Sequence, residues 1–176
     1  LDLIVRPEAR QMVRQRAAIT RSLRETLHDR DFVEVETPVL QTIHGGAAAR
    51  PFHTHLNAFD LDMSLRIATE LYLKRAIVGG IERVYEIGPA FRNEGVDSTH
   101  SPEYTMREAY ESYGDYDTMA ELTRELILNA ARVIDVQNPI SADGTEIDLF
   151  GDWRTVSVHE LVSNAVGQAV TLDTSE

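Results

Sequence analysis

The sequence predicts a mixed α+β domain in which helices flank an antiparallel sheet. Three observations lead to this fold class. Helical and strand periodicities follow one another irregularly, turn residues separate neighbouring strands, and no strict strand–helix–strand repeat occurs. The chain has 176 residues, of which 43% are hydrophobic, so it can bury a core of ordinary single-domain size.

Helices are expected where apolar residues recur at a spacing of three to four. The first begins at Pro7, which suits the first helical turn, and ends near Asp29. A short helix is expected between a capping Thr69 and the Gly79–Gly80 pair. Two further helices are predicted over residues 117–133 and 157–166.

Strands are expected where apolar and polar residues alternate. The stretch FVEVETPVL predicts an edge or interface strand that stops at Pro38, since proline has no N–H for a ladder. Residues 59–67 predict a second strand. RVYEI and AFRNE predict two strands, or one bent strand broken at Gly88–Pro89, and EYTMREAYESY predicts the next. Asp143–Gly144 is a hairpin signal.

The composition argues against several classes of protein. A net charge of −12 disfavours a protein held mainly by nucleic-acid phosphates, although residues 1–30 carry seven Arg against four acids. No apolar run approaches the roughly 18 residues of a membrane span. Cysteine is absent, which fits a reducing compartment, and we expect a cytoplasmic protein. The chain begins at Leu1 and not at Met, so we expect a piece of something longer.

The stretch AFRNEGVDSTHSPEYTMREAYESYGDY places many charges where its flanks predict strands. If residues 95–102 connect two antiparallel strands, alternation places several polar side chains on one face. These are Arg92, Glu94, Tyr104, Glu108 and Tyr110. Periodicity leaves two interpretations open: a solvated face with Arg–Glu pairs across the strands, or a face that binds a charged ligand.

The same stretch resembles motif 2 of the class II aminoacyl-tRNA synthetases, whose pattern is Phe-Arg-x-Glu, a variable loop, then a His and an aromatic. The matching residues are Phe91, Arg92, Glu94, His100 and Tyr104. The continuation MREAYESYGDY, together with FVEVETPVLQ, HGGAAARPF and LRIATELYLKRAIVGGIERVYEI, is similar to the bacterial lysyl branch in the order of that family. The resemblance implies part of a class II catalytic domain, an antiparallel sheet flanked by helices.

The resemblance implies a nucleotide site on the motif 2 residues. Arg92 would bind the α-phosphate of ATP and then the aminoacyl-adenylate, as the catalytic cation. Glu94 would hold the adenine amino group, and His100 would lie near the pyrophosphate end. Tyr104 stands where Phe is usual and would stack on adenine.

The resemblance also implies a lysine pocket, which should be electronegative because lysine carries two ammonium groups. Gly46, through its backbone, and Glu70 would hold the α-ammonium. Glu108 and Tyr110 would approach the ε-ammonium. Two plainer interpretations remain beside these: Glu70 as an acid favoured at a helix N-terminus, and Gly46 as a simple turn.

The resemblance divides the chain into two motifs of one partial catalytic domain over residues 1–176. Motif 1, about 7–40, would form a homodimer interface, and motif 2 covers about 84–113. Nothing in the sequence matches motif 3 or the anticodon-binding OB domain, so the ligands of Mg²⁺ are expected outside this chain and tRNA(Lys) would bind through the parent protein. We therefore expect the isolated chain to be a poor catalyst.

Three departures and one histidine pair qualify the match. Thr69 stands where Pro is usual, Ser64 where Tyr is usual, and Arg107 where an apolar residue is usual. Arg107 should face away from the pocket. His53 and His55 have the spacing of a metal pair, but with no third ligand in sight we interpret them as surface histidines.

The expected function is therefore that of a lysine–tRNA ligase, which activates lysine with ATP and transfers it to tRNA(Lys). Three alternatives stay open. The same motifs serve paralogues that attach lysine to a protein, or that supply a fusion making lysyl-phosphatidylglycerol. A noncatalytic paralogue that only dimerises or binds a ligand is the third.

Overall fold

The computed structural model describes residues 1–174 and divides into two units, Leu1–Asp135 and a second that begins at Val136. The first unit contains the helices α1 (Asp2–Val5), α2 (Pro7–His28), α3 (Glu70–Val78) and α4 (Tyr116–Val133). Its strands are β1 (Val33–Glu34), β2 (Leu40–Gln41), β3 (His53–Leu56), β4 (Leu61–Leu65), β5 (Arg83–Phe91) and β6 (Glu103–Glu111). The mixed α+β class is confirmed, whereas one catalytic domain over 1–176 stays a prediction.

Two small sheets organise the first unit. In one, the strand order is β1-β5-β6, with β5 and β6 antiparallel from Arg83↔Glu111 to Phe91↔Glu103 and β1 parallel to β5. In the other, β4 lies between β2 and β3, and both pairs are antiparallel. The long β5–β6 hairpin is thus the frame that carries the motif 2 residues.

The core of the first unit lies where α2 and α4 pack on β5. Five buried side chains form one cluster: Leu27, Phe32, Tyr85, Leu122 and Leu126. Each apolar side chain of this kind contributes about 1.5–3 kcal/mol when it is fully buried. This packing holds one face of the hairpin, and the other face is left for polar side chains.

Strand β5 continues through Gly88–Pro89, so the expected break is wrong. Pro89 is paired with Thr105 of β6. The Phe91 N–H, two residues on, points away from β6 and donates to the Arg66 carbonyl at 2.9 Å. By alternation the Pro89 nitrogen faces that same side, where β1 pairs only with Val84 and Tyr85, so the missing N–H costs no ladder bond.

Other boundaries also differ from expectation. The strand foreseen over FVEVETPVL is reduced to Val33–Glu34 and Leu40–Gln41. The polar strand β3 was not foreseen, because its sequence HTHL lacks apolar alternation. Thr69 does occupy the N-cap position of α3, but its hydroxyl makes no cap bond, since its backbone is already helical at φ −98° and ψ −5°.

The second unit is described by itself. Ile140 and Glu146 form an antiparallel bridge around a turn in which Gly144 has φ +87°, as the Asp143–Gly144 signal predicted. Helix α5 (Val158–Val166) is capped by Ser157, whose hydroxyl accepts from the Glu160 N–H at 3.1 Å. Within residues 1–174, no helix is long and apolar enough to cross a membrane.

Candidate functional site

The β5–β6 hairpin sorts its polar side chains onto two faces. Tyr104, Glu108 and Tyr110 alternate with Thr105 and Arg107 along β6. Tyr104 lines one cavity, while Thr105 and Arg107 line a different groove beside α2. This confirms that Arg107 faces away from the other three. Burial without an ion-pair partner in the described chain lowers the pKa of Arg107.

The four residues matched to the nucleotide site lie around one cavity of about 350 Å³. Its lining is Arg92, Glu94, Gly95, Thr99, His100, Ser101 and Tyr104. The guanidinium carbon of Arg92 lies 5.5 Å from the Tyr104 ring centroid, and its Nε donates to the Ile67 carbonyl at 3.4 Å. The guanidinium therefore lies over the Tyr104 ring at a cation–π distance.

Two details of this cavity concern Glu94 and Tyr104. Glu94 Oε1 accepts from the Arg50 N–H at 3.2 Å. Burial raises the pKa of Tyr104, an effect that Arg92 opposes and that Glu108 and Glu94 reinforce. The Tyr104 hydroxyl is buried and has no hydrogen-bond partner within the described residues.

His100 is held by a carboxylate that sequence reasoning overlooked. Asp97 Oδ1 accepts from the backbone N–H groups of Thr99 at 2.7 Å and His100 at 2.8 Å. Its two oxygens also lie 2.9 and 2.8 Å from His100 Nδ1. These bonds, the Thr99 backbone bond foremost, lower the pKa of Asp97 to about 2. The Asp-x-x-His spacing was the available signal, since Asp commonly closes such turns.

The residues matched to the lysine pocket gather at the start of α3. Glu108 Oε1 accepts from the Thr69 N–H at 3.0 Å, and the Tyr110 hydroxyl donates to Glu108 Oε2 at 3.3 Å. Burial raises the pKa of Tyr110 well above its usual range, and the charges of Glu108 and Glu70 raise it further. The two carboxylates therefore make the surroundings of the Tyr110 hydroxyl electronegative.

Gly46 and Glu70 meet directly. Gly46 has φ +88°, and a Cβ placed on it would stand 2.7 Å from the Glu70 Cβ and 3.5 Å from Glu70 Oε2. Glu70 Oε1 pairs with Lys74 Nζ at 2.7 Å, one turn along α3. Gly46 therefore lies in a turn, and the same backbone lies against Glu70. The two interpretations of Gly46, a turn and a part of the candidate lysine pocket, are compatible.

A buried ion pair joins Arg66 to Glu86, which lies directly opposite Glu108 in the β5–β6 hairpin. The side chains of Arg66 and Glu86 are 1% and 4% exposed. Arg66 Nε also donates to the Pro89 carbonyl at 2.7 Å, and Glu86 Oε2 accepts from the Thr37 hydroxyl at 2.6 Å. Sequence reasoning missed this pair, although one charge within each apolar run, LRIA and VYEI, was a signal.

The two histidines His53 and His55 contact different side chains. His55 Nδ1 lies 2.9 Å from Asp62 Oδ1, and its Nε2 lies 3.3 Å from Asp60 Oδ1. His53 Nδ1 lies 3.2 Å from the Ser64 hydroxyl. Across residues 1–174, no group of three or more His, Cys, Asp or Glu side chains is arranged to hold a metal ion.

Comparisons with known proteins show the family of the chain. The family model of class II tRNA synthetases (D, K and N) matches residues 1–170. The chain is 56% identical over 175 residues to a lysine–tRNA ligase of Kineococcus radiotolerans, covering 99% of this chain and 35% of the relative. It is 55% identical over 172 residues to a lysine–tRNA ligase of Mycolicibacterium gilvum, covering 97% and 34%.

A third relative has a different name. The lysylphosphatidylglycerol biosynthesis bifunctional protein LysX of Mycolicibacterium vanbaalenii is 52% identical over 179 residues, which cover 99% of this chain and 16% of the relative. The chain thus spans about a third of the two ligases and less of the bifunctional protein. With a family model that matches nearly its whole length, the chain belongs to the class II tRNA synthetases (D, K and N).

Proposed function

We propose that this chain carries the lysine-binding and ATP-binding parts of a lysine–tRNA ligase. The observation that supports this proposal most strongly is that two clusters of different chemical composition lie next to each other. Arg92, Glu94, His100 and Tyr104 line one cavity, and Tyr104 also lies within the electrostatic influence of Glu108. The guanidinium of Arg92 in the first cluster suits a phosphate, and the carboxylates of Glu70 and Glu108 in the second suit an amino acid with two ammonium groups.

In the proposed reaction, a carboxylate oxygen of lysine attacks the α-phosphorus of ATP. The new O–P bond forms as the bond to the bridging oxygen breaks, and pyrophosphate leaves with that electron pair. Arg92 donates to the α-phosphate oxygens and neutralises the charge that develops on them. Tyr104 stacks on adenine, Glu94 accepts from its amino group, and His100 lies towards the leaving pyrophosphate.

The second proposed step transfers the lysyl group. A terminal hydroxyl of tRNA(Lys) attacks the carbonyl carbon of lysyl-adenylate, loses its proton, and AMP leaves. Glu70, with the Gly46 backbone, holds the α-ammonium, while Glu108 and Tyr110 hold the ε-ammonium. ATP is used with Mg²⁺ in this proposal, and the ligands of the metal are expected outside this chain.

The pocket decides which amino acid is activated, so the test compares the three amino acids of the family. Pyrophosphate exchange with ATP is measured for the full-length gene product with lysine, aspartate and asparagine. We expect exchange with lysine, and its loss in a Glu108→Gln variant. Exchange with aspartate or asparagine, or with none of the three, would overturn the proposal.

We also propose a homodimer through α2 and a cytoplasmic site of action. Met12 and Val13 on α2 are 70% and 57% exposed. Exposure of these apolar side chains to water is unfavourable for a single subunit. A Val13→Asp variant should then lower the molar mass in light scattering from two subunits to one. A wild type of one subunit would contradict the dimer.

A second candidate function is supported by the 52% identity to the bifunctional LysX protein. Lysine activation would be the same, but the lysyl group would end on phosphatidylglycerol. Radiolabelled lysine, added with tRNA and phosphatidylglycerol vesicles, distinguishes the two. Label that stays on tRNA supports the ligase, and label in the lipid fraction supports the second candidate.

A further inference from the structure

Lys74 is the only lysine in the sequence, and it lies against the candidate lysine pocket. Its Nζ is 2.7 Å from Glu70 Oε1 and 5.8 Å from the ring centroid of Tyr110. Glu followed by Lys four residues later is the favourable order for such a pair on a helix. An ammonium of the protein therefore contacts two of the residues matched to substrate lysine.

The two oxygens of Glu70 face different neighbours. Oε1 is taken by Lys74, whereas Oε2 lies 3.5 Å from the position that a Cβ on Gly46 would occupy. Within the described residues, Lys74 is the one hydrogen-bond partner of the Glu70 side chain. Lys74 thus holds Oε1 and leaves Oε2 directed towards Gly46.

Two roles for Lys74 predict opposite changes in lysine affinity when Lys74 is removed. As a competitor, its ammonium would occupy the place of a substrate ammonium, and its removal would tighten lysine binding. As a positioning residue, it would hold Glu70 in the receiving orientation, and its removal would weaken lysine binding. The division of the two oxygens favours the second role, because within residues 1–174 Oε2 accepts no hydrogen bond.

We propose that Lys74 is a positioning residue for lysine recognition, which orients Glu70 so that Oε2 receives the α-ammonium beside the Gly46 backbone. The inference rests on the proposed lysine activation and adds a residue that does not itself touch the substrate. Its effect should be confined to lysine, because Lys74 does not line the cavity of Arg92 and Tyr104.

The experiment measures pyrophosphate exchange by the full-length gene product with Lys74→Met. We expect the KM for lysine to rise about threefold to tenfold, as when the contact of Glu70 with the α-ammonium is weakened but not lost, while the KM for ATP stays unchanged. Lys74→Arg keeps the cation and should restore much of the lysine KM. This rescue assigns the effect to the cation and not to the aliphatic part of the side chain.

Arg75→Met is the matched control. It removes the same charge from the next position of α3, where the guanidinium lies 4.7 Å from the Tyr72 ring centroid. We expect its lysine KM to remain that of the wild type.

An unchanged or lower lysine KM in Lys74→Met, with lysine-dependent wild-type exchange, would overturn this inference alone. The same holds for a rise that Arg75→Met reproduces. A wild type without lysine-dependent exchange would overturn the proposed function and this inference together.

Discussion

Gly46 lies so close to Glu70 that a Cβ on the glycine would stand 2.7 Å from the Glu70 Cβ. Real Cβ contacts are essentially never this short, and Glu70 Cβ is too near the helix backbone to move away freely. Position 46 therefore requires glycine both for its φ of +88° and for space. This contact ties the loop after β2 to the start of α3, where the candidate lysine pocket lies.

Gly46→Ala should therefore damage lysine recognition more than nucleotide recognition. The added methyl group displaces Glu70 or the loop, and we expect the KM for lysine to rise about tenfold or more, the effect of losing one good polar contact. Gly80→Ala is the control, because Gly80 also has a positive φ, +97°, but nothing within 4 Å of its added Cβ. Steady-state pyrophosphate exchange compares the two. Equal effects on the lysine KM would contradict the contact argument.

The buried pair of Arg66 and Glu86 should dominate the stability of the hairpin. Glu86→Ala leaves a guanidinium that is 1% exposed without its carboxylate, so we expect the free energy of unfolding to fall by about 3–5 kcal/mol. Glu103→Ala, at an exposed position of β6, should cost less than about 0.5 kcal/mol. Urea unfolding measures both. A loss below about 1 kcal/mol for Glu86→Ala would show that Arg66 finds another partner.

Two tyrosines on the hairpin should respond oppositely to loss of their hydroxyls. The Tyr85 hydroxyl donates to Glu34 at 2.9 Å, and burial, with this bond, raises the pKa of Tyr85 to about 12. Tyr85→Phe should cost about 1 kcal/mol of unfolding free energy. Tyr104→Phe removes a buried hydroxyl without a partner in the described chain, so stability should stay equal or increase.

Thermal unfolding of both variants, side by side, checks this contrast. Because the ring of residue 104 is retained, ATP binding by the Tyr104→Phe variant should also persist. A Tyr104→Phe variant that loses as much stability as Tyr85→Phe would mean that the Tyr104 hydroxyl has a partner.

Part of the fold and of the candidate site could be predicted from the sequence, and there are physical reasons why the rest could not. The β5–β6 hairpin and its two faces followed from alternation, which is local. The adjacency of Gly46 and Glu70 came only with the family resemblance, since it joins segments 24 positions apart. Periodicity could not place Lys74 over Glu70 in preference to a solvated helix face, because exposed Glu–Lys pairs at this spacing are common.

The buried charges were harder to predict from the sequence than the hairpin was. An Arg or Glu in an apolar run is usually taken as solvent-facing, and only the fold brings together Arg66, which follows β4, and Glu86 of β5. The strand break predicted at Pro89 was wrong for a related reason. The effect of a proline on a strand depends on which side its nitrogen faces, and that is fixed by register and not by the residue itself.

The loop that carries His100 should stay ordered at low pH. Backbone bonds from Thr99, then the His100 side chain, lower the pKa of Asp97 from the ordinary 3.8 to about 2. The stabilisation of the folded state is therefore fully present above pH 4 and is lost as the pH falls through about 2. Carbon-detected NMR of the Asp97 carboxyl should show less than half of its titration at pH 3. A midpoint near 4 would mean that these bonds do not form in solution.

The central claim is that the two clusters form one site for lysine and ATP. The most direct measurement is calorimetric binding of a nonhydrolysable lysyl-adenylate analogue to the full-length gene product. The analogue should bind at least about a hundredfold more tightly than lysine or ATP alone, as expected for a ligand that spans both clusters. Arg92→Ala and Glu108→Gln should each weaken it by about tenfold or more. The account would be contradicted if the analogue bound no more tightly than ATP, or if Glu108→Gln left the affinity for the analogue unchanged.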